Sequence, residues 1–305
     1  LALVALVLGT FAPARGEDVT GDDAATIRAR HLLRRATFGV RPGDVEAVVD
    51  MGLEAWIDRQ LDYATIPDPD VEKRLEAFES LQLTGPEYWS MLQGGQMEGP
   101  AGPPKPGEDR IAKAREQQAR LNRLRNLARQ EVPASVLVRA VYTNRQLFEV
   151  MRAFWFDHFN VDVDKDDVRY YVADWERDVL GKHVFGTFED FLLATAKHPA
   201  MLFYLDNHVS QAPMARGDKV LRNREDPNRT GGLNENYARE LMELHTVGCD
   251  RGYEQKDVIQ LALVLTGWSI GSGDQRGSFV FRDAYHAKGP KKVMGKTVKD
   301  GEQDE

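Results

Sequence analysis

Hydrophobic residues recur along most of this chain at spacings of three and four, which is the period of an amphipathic α-helix. The stretch from Asp22 to Thr37 predicts one helix, and the stretch from Pro42 to Leu61 predicts two more. Two prolines then interrupt the pattern before a further helix, expected from Val71 to Leu81. None of these stretches alternates as a β-strand does, so residues 22–93 are predicted to form an N-terminal helical part.

Glycine and proline crowd together in residues 94–109, which predicts a linker. A polar helix is expected from Arg110 to Gln130, and its many basic residues are typical of a solvated helix face because no aromatic residues lie between them. Pro133 is expected to open a long apolar run that reaches Phe159. This run is hydrophobic almost all round, so it predicts a central, buried pair of helices.

The second half of the chain continues in the same helical period. Helices are predicted from Asp166 to Leu180, from Phe188 to Lys197, after Pro199, and from Gln255 to Trp268, with Thr187 as a cap and residues 211–232 as a long exposed loop. Phe279–Phe281 and Lys292–Met294 are predicted to pair as a small hairpin. The expected fold class is therefore mainly α, an irregular multi-helix domain over residues 110–300 with a small β-hairpin near its C-terminal end. Because no closing element follows, we expect this domain to be cut short at the C-terminus.

The most informative stretch runs from Gly232 to Gly248 and predicts a helix over residues 234–247. Asn234 is placed to cap its first turn and Gly248 to end its last. Apolar Tyr237, Leu241 and Leu244 form one stripe at helical spacing. A second, carboxylate-rich stripe contains Asn236, Glu240 and Glu243 and ends near His245.

Polar residues placed among apolar ones are costly to bury unless they find partners, so they are candidates for chemistry. The run Phe154–Phe159 contains Asp157 and His158, and we expect this helix to pack against the motif helix. That packing predicts a shared acid–base site whose catalytic residues are Asp157, His158, Glu240 and Glu243. The alternative is a buried polar network that only fixes how the helices dock.

A divalent metal ion is the one cofactor that the residue types suggest, since such a site needs three or four His, Asp or Glu ligands. The candidate ligands are His158, Asp206, Glu240, Glu243 and His245, with His286 as a further one. The sequence contains no His-Glu-x-x-His pattern, no Gly-x-Ser-x-Gly elbow and no phosphate-binding glycine loop. Cys249 is the one cysteine, so no intrachain disulfide can form.

The net charge of −8 argues against a nucleic-acid partner. Residues 1–16 contain an apolar run followed by small residues, which is typical of the core and cleavage region of a secretory signal. The run is too short to span a bilayer, and we expect an exported protein with no transmembrane span in the mature chain. The alternative is a short N-terminal membrane anchor or a lipoprotein-like tail, and the absence of a nearby Cys disfavours the tail. The charged start of such a signal is missing, which predicts that the sequence is cut at its N-terminus.

Several ordered motifs resemble the bacterial family called domain of unknown function 1800, over about residues 26–300. They are His31–Gly39, Phe154–Asn160, His198–Asn207, Leu233–Gly248, Leu265–Trp268 and Lys292–Lys296. The resemblance implies a mainly helical, commonly exported protein, and it brings no activity with it. Two function classes stay open. One is a metal-assisted or carboxylate-driven hydrolase acting on polymers of the cell envelope, and the other is a non-catalytic envelope scaffold.

Overall fold

The computed structural model describes residues 23–97, 110–212, 232–249 and 251–301. The predicted signal segment 1–16, residues 98–109 of the predicted linker and residues 213–231 of the predicted loop lie outside the described residues. The chain is mainly helical, which confirms the predicted fold class. It forms two compact units, one from residues up to Pro67 together with Asn144–Val150, and one from Asp68–Thr143 together with the chain from Met151 on.

The first unit is built on three short helices: α1 (Ala24–Ala36), α2 (Asp44–Met51) and α3 (Leu53–Leu61). Asp23 precedes α1 and caps its first turn, because its carboxylate accepts the backbone N–H of Thr26 at 2.8 Å. The helices bury one apolar face each against a shared core that is centred on Leu33, Val48 and Trp56. Their bounds lie within two residues of the predicted ones.

The second unit starts with α4 (Pro69–Leu75), α5 (Gly85–Met97), α6 (Arg110–Tyr142) and part of α7 (Gln146–His158). The sequence predicted that one helix ends near Gln130 and that a new apolar run opens at Pro133. This was wrong, because α6 continues through both residues. Proline removes one hydrogen bond of the helix, but Leu124, Ala128 and Val132 bury a continuous stripe up to that point. Packing of this stripe therefore outweighs the local cost. The helices on both sides of the predicted linker belong to this same unit.

The apolar run from Pro133 to Phe159 is less buried than its composition predicts. Leu137 is 44%, Val141 58% and Phe154 54% exposed, so the prediction of a helix pair buried all round was wrong. The deepest core of the second unit lies instead on the segments that follow, where Trp175, Phe191 and Met201 are at most 1% exposed. The composition of this run shows that its residues are hydrophobic, but it does not show which faces of the helices pack against other elements.

Residues 166–183 form a sequence of short helical turns instead of the single helix that was predicted. A 3₁₀ turn (Asp166–Tyr170) leads to α8 (Val172–Asp174), a π-helical turn (Trp175–Leu180) and α9 (Gly181–His183). Helix α10 (Phe188–Lys197) follows with the predicted cap, since Thr187 Oγ1 accepts the backbone N–H of Asp190 at 3.2 Å. The next helix, α11, spans Pro199–Tyr204.

The last part contains α12 (Asn236–Glu240), a second π-helical turn (Leu241–Thr246), α13 (Gln255–Leu265) and four short strands. The strands are β1 (Trp268–Ile270), β2 (Phe279–Phe281), β3 (Lys291–Val293) and β4 (Lys296–Val298). Antiparallel β1–β2 and β3–β4 pairs replace the predicted pairing of Phe279–Phe281 with Lys292–Met294. Within the described ranges, no helix has the length and apolarity needed to cross a membrane.

Candidate functional site

The motif helix begins at Asn236, two residues later than predicted, and its second half has a different geometry. The Asn234 side chain accepts the N–H of Asn236 at 2.8 Å, and Gly248 takes a positive φ of 88° at the end. From Leu241 the helix becomes a π turn, in which the N–H of Val247 reaches back five residues to the carbonyl of Met242 at 2.9 Å. The extra residue rotates everything after it, so Leu244 is 61% exposed whereas His245 is buried.

The predicted packing of the motif helix against α7 is confirmed. His158 Nε2 lies 3.1 Å from the carbonyl oxygen of His245, and the two imidazole centres are 6.3 Å apart. Because a carbonyl oxygen only accepts, His158 donates from Nε2, and that nitrogen has no free lone pair for a metal. Burial, reinforced by the charge of His158, lowers the pKa of His245 to about 4, so its imidazole is neutral at pH 7.

The four predicted catalytic residues have different surroundings. Asp157 is exposed, whereas His158 makes the contact to the motif helix. Glu243 pairs with Arg239 of its own helix at 3.3 Å, and Glu240 makes no hydrogen bond or ion pair to any residue that the structure describes. The contacts therefore bring His158 and His245 together. In the described structure they join neither Glu240 nor Glu243 to Asp157 or His158.

The predicted metal ligands do not form a cluster. Asp206 binds the ammonium of Lys165 at 2.9 Å, and His286 Nδ1 donates to the carbonyl of Thr266 at 2.8 Å while its Nε2 faces Lys291. Over residues 23–97, 110–212, 232–249 and 251–301, no three or more His, Cys, Asp or Glu side chains are grouped so that they could hold a metal ion. The residues present therefore do not fit the predicted divalent metal.

A concave pocket in the second unit collects polar and aromatic side chains from separate segments. We call it the Trp89 pocket, and its volume is about 230 Å³. Its walls come from α5, the Asp166–Tyr170 turn, the end of α11 with the turn after it, and the β1–β2 region. Aromatic faces and charged groups both line it, among them Trp89, Tyr171, Phe203, Asp167 and Arg276. Aromatic rings and charged groups from separate segments of the chain therefore line one cavity.

Four polar side chains of the Trp89 pocket have no hydrogen-bond or ion-pair partner among the residues that the structure describes. The side chains of Asp167, Gln211 and Arg276 and the hydroxyl of Tyr285 make no hydrogen bond or ion pair to the described part of the chain, although all four residues line the cavity. Gln211 is only 8% exposed. Burial raises the pKa of the Asp167 carboxyl, and the charge of Arg169 opposes this rise. Asp167, Arg276 and Tyr285 are half-buried, so a ligand that enters the cavity replaces the water around these polar groups.

Arg276 is held in the pocket by an aromatic ring instead of an acid. The carbon of its guanidinium lies 5.0 Å from the ring centre of Trp89, within the range of a cation–π contact. Trp89 itself is fixed by α5, which begins with a capping box in which Thr84 and Glu87 exchange hydrogen bonds. The Trp89 indole N–H approaches the Tyr171 hydroxyl without reaching hydrogen-bond geometry.

Tyr171 lines the pocket and packs against Gly85, whose N–H binds a buried acid. A Cβ atom on Gly85 would lie 2.2 Å from the Tyr171 ring, so only glycine fits at the start of α5. Behind the ring, Asp174 Oδ2 accepts the N–H of Gly85 at 2.7 Å. Arg177 holds the same segment by donating to the carbonyls of Leu81 and Leu83.

Asp174 faces His198 across 3.7 Å, and the two side chains are 11% and 14% exposed, respectively. Burial raises the pKa of the Asp174 carboxyl to about 7, and the Gly85 N–H opposes this rise. Burial also lowers the pKa of His198 to about 3. His198 Nδ1 accepts the N–H of Ala200 at 3.3 Å, so the neutral ring carries its proton on Nε2, towards Asp174.

The pocket residues were missed at the sequence level because no spacing pattern connects them. One signal was available, since Thr84-Gly-Pro-Glu87 has the capping box and early proline of a helix start, which marks the helix that carries Trp89. The acid Asp174 and the imidazole His198 had no comparable signal. His198 stood out only as the first residue of the family motif His198–Asn207, which assigns it no role.

Comparison with known proteins gives one result. Residues 31–305 match the family described as "Protein of unknown function (DUF1800)". No curated protein and no solved structure matches the chain. The match covers most of the sequence and includes the motif helix, α7 and the whole Trp89 pocket, so this chain belongs to the DUF1800 family.

Proposed function

We propose that this protein binds a small polar organic molecule in the Trp89 pocket. One observation carries the proposal, namely that a carboxylate, a guanidinium, an amide and a phenol line one cavity and make no side-chain hydrogen bond or ion pair to the described part of the chain. A ligand that supplies these partners gains hydrogen bonds which the free protein satisfies only with water. The volume of about 230 Å³ lies below the roughly 300–1,000 Å³ of sites for drug-sized molecules, so the ligand is small.

Recognition fits this pocket better than hydrolysis does. Glycoside hydrolysis ordinarily needs two carboxylates placed on either side of the bond that breaks. Asp167 is the one carboxylate among the described residues that line the pocket. The hydrolase predicted on the motif helix would need Glu240 or Glu243 to act with Asp157 or His158, and no hydrogen bond or ion pair joins those groups in the described structure.

Binding is tested by saturation-transfer NMR on the full chain with a mixture of neutral sugars, sugar acids, amino acids and aromatic acids. The comparison variant is Val209→Trp, which fills the pocket with a large side chain. Val40→Trp makes the same change at an exposed position of the first unit and serves as its control. We expect at least one compound to receive saturation from the wild type and from Val40→Trp, and to lose it in Val209→Trp.

The proposal fails if no compound distinguishes the wild type from Val209→Trp while that variant stays folded by circular dichroism. That result would favour the scaffold alternative, which needs no ligand at all. Loss of the signal in Val40→Trp as well would mean that the compounds bind elsewhere, and it would also contradict the proposal.

We also propose that the protein is exported. Support comes from the apolar run Leu1–Leu8 and the small residues Ala12, Ala14 and Gly16 after it, which together have the pattern that signal peptidases cleave. The test places residues 1–30, behind an initiating Met-Lys-Lys, on alkaline phosphatase that lacks its own signal. We expect phosphatase activity in the periplasm, and we expect Leu6→Arg with Val7→Arg to abolish it. Activity that stays in the cytoplasm with the unaltered segment would contradict export.

A further inference from the structure

We infer that the ligand of the Trp89 pocket is a monosaccharide acid, that is, a sugar ring bearing a carboxylate. This inference rests on the proposed function, because it names the chemical class that the same pocket selects. It follows from three features of the lining: its excess of positive charge, the number of its unpartnered polar groups, and its aromatic walls. Each feature excludes a different class of small molecule.

The charge of the lining favours an anion. Arg276 and Arg282 both line the cavity, against the single carboxylate of Asp167 among the described lining residues. Arg282 uses one nitrogen to donate to the carbonyl of Ile270 at 2.8 Å, whereas the guanidinium of Arg276 donates to no described residue. A guanidinium presents paired N–H groups that match the two oxygens of a carboxylate. A neutral sugar would leave that pairing unused.

The number of polar groups favours a hydroxylated ligand. Asp167, Gln211 and the Tyr285 hydroxyl come from three separate segments, so one ligand must offer donors and acceptors in several directions. Sugar hydroxyls do both at once. The ammonium and carboxylate of an amino acid sit on one carbon and could serve Asp167 and Arg276, but they would leave Gln211 and Tyr285 without partners. A plain aromatic acid would place an apolar edge against Asp167.

The aromatic walls suit the C–H face of a sugar ring. Trp89, Tyr171 and Phe203 line the cavity, and Tyr171 and Phe203 stack on each other with ring centres 5.4 Å apart. Tyr171 is 1% exposed and Arg276 lies over the Trp89 ring, so the half-buried Trp89 and Phe203 side chains supply the apolar edges against which the C–H groups of a sugar ring pack. The three features together select a ring with an apolar face, hydroxyls at its edge and one carboxylate.

The inference is tested by isothermal titration of the full chain with glucuronate and galacturonate, each beside its parent sugar, glucose or galactose. Phenylalanine and glutamate serve as amino-acid probes. We expect at least one sugar acid to bind about tenfold or more tightly than its parent sugar, which lacks the carboxylate. Arg276→Gln should remove that difference, because it deletes the charge and keeps a polar side chain. Asp167→Asn should weaken the sugar acid and its parent sugar by a similar factor, since it acts on their shared hydroxyls.

Two kinds of outcome would overturn the inference. Equal affinities for a sugar acid and its parent, or tighter binding of an amino acid, would show that the class is wrong. A difference that survives Arg276→Gln would show that the carboxylate is not recognised there. The proposed function would stand in both cases, because it requires only that some compound is lost in Val209→Trp. Failure of every compound in the NMR experiment would remove the proposed function as well.

Discussion

Replacing His198 by Asn is expected to make this protein more stable relative to the wild type as the pH falls from 7 to 4, and replacing Asp174 by Asn is expected to do the opposite. Both effects follow from buried groups whose pKa values move towards the neutral form on folding. The pKa of Asp174 is raised from 3.8 to about 7, and that of His198 is lowered from 6.5 to about 3. Over most of this range, the two groups together therefore bind the same number of protons in the folded wild type as they do in the unfolded chain.

The sign of each effect comes from which state binds more protons. Folded Asp174 holds its proton between pH 3.8 and about 7 whereas the unfolded chain has lost it, so its contribution to stability falls as the pH rises through that window. Folded His198 stays neutral below pH 6.5 whereas the unfolded chain gains a proton, so its contribution is lost as the pH falls. The two slopes oppose each other, and removing one group leaves the other uncompensated. A shift of three pH units corresponds to about 4 kcal/mol.

The measurement is the free energy of unfolding in urea at pH 4, 5, 6 and 7 for the wild type, both single variants and the double variant. Asn at 174 keeps an oxygen for the Gly85 N–H, and Asn at 198 keeps an acceptor that can cap α11. Relative to the wild type, we expect a change of about 3–4 kcal/mol between pH 7 and pH 4, upward for His198→Asn and downward for Asp174→Asn. The double variant should follow the wild-type slope. Parallel curves for all four proteins would show that neither group is perturbed as described.

Features set by neighbouring residues were predictable from the sequence. The cap of α10 depends on Thr187 and Asp190, three residues apart, and it forms as predicted. The end of the motif helix depends on Gly248, which alone among the twenty residue types adopts a positive φ without strain. The helical class follows from the period of the apolar residues, which is also a local property.

Features set by distant contacts were not predictable in this way. The π turn at Leu241–Thr246 reverses the burial of Leu244 and His245, yet its residues fit an ordinary helix equally well. The unbroken course of α6 through Pro133 depends on what packs against its buried stripe. The Trp89 pocket draws Trp89, Asp167 and Arg276 from positions far apart in the chain, so only the folded structure brings them together.

The predicted site and the Trp89 pocket differ in how their polar residues are satisfied. Sequence reasoning chose Asp157 and His158 because they stand among aromatic residues, which assumed that their helix face is buried. Asp157 proved exposed, and His158 donates to a backbone carbonyl. The polar groups that face a cavity without partners, such as Gln211 and Asp167, occur in ordinary polar surroundings in the sequence. Local hydrophobicity is therefore a weaker guide to a site than the balance of donors and acceptors in the fold.

Replacing Glu176 by Gln is expected to destabilise the protein by about 3–5 kcal/mol, the range for breaking a buried ion pair by removing one partner. Glu176 is 2% exposed and lies in the π turn Trp175–Leu180. Its Oε2 accepts from Arg139 Nη1 and from Arg152 Nη2, both at 3.1 Å, and both arginine side chains are at most 11% exposed. The variant keeps the shape of the side chain and an acceptor, but removes the negative charge that both guanidiniums share.

The matched control is Glu79→Gln, which breaks the ion pair between Glu79 and Arg123 at the same distance of 3.1 Å. That pair is solvated, with 70% of the Arg123 side chain and 39% of the Glu79 side chain exposed, so its loss should cost less than about 1 kcal/mol. Urea unfolding at pH 7, followed by tryptophan fluorescence, measures both variants. Similar small losses of unfolding free energy in the two variants would mean that Glu176 does not compensate the buried charges of Arg139 and Arg152. A large cost for Glu176→Gln alone would show that the buried carboxylate, placed by the π turn, holds α6, α7 and this turn together.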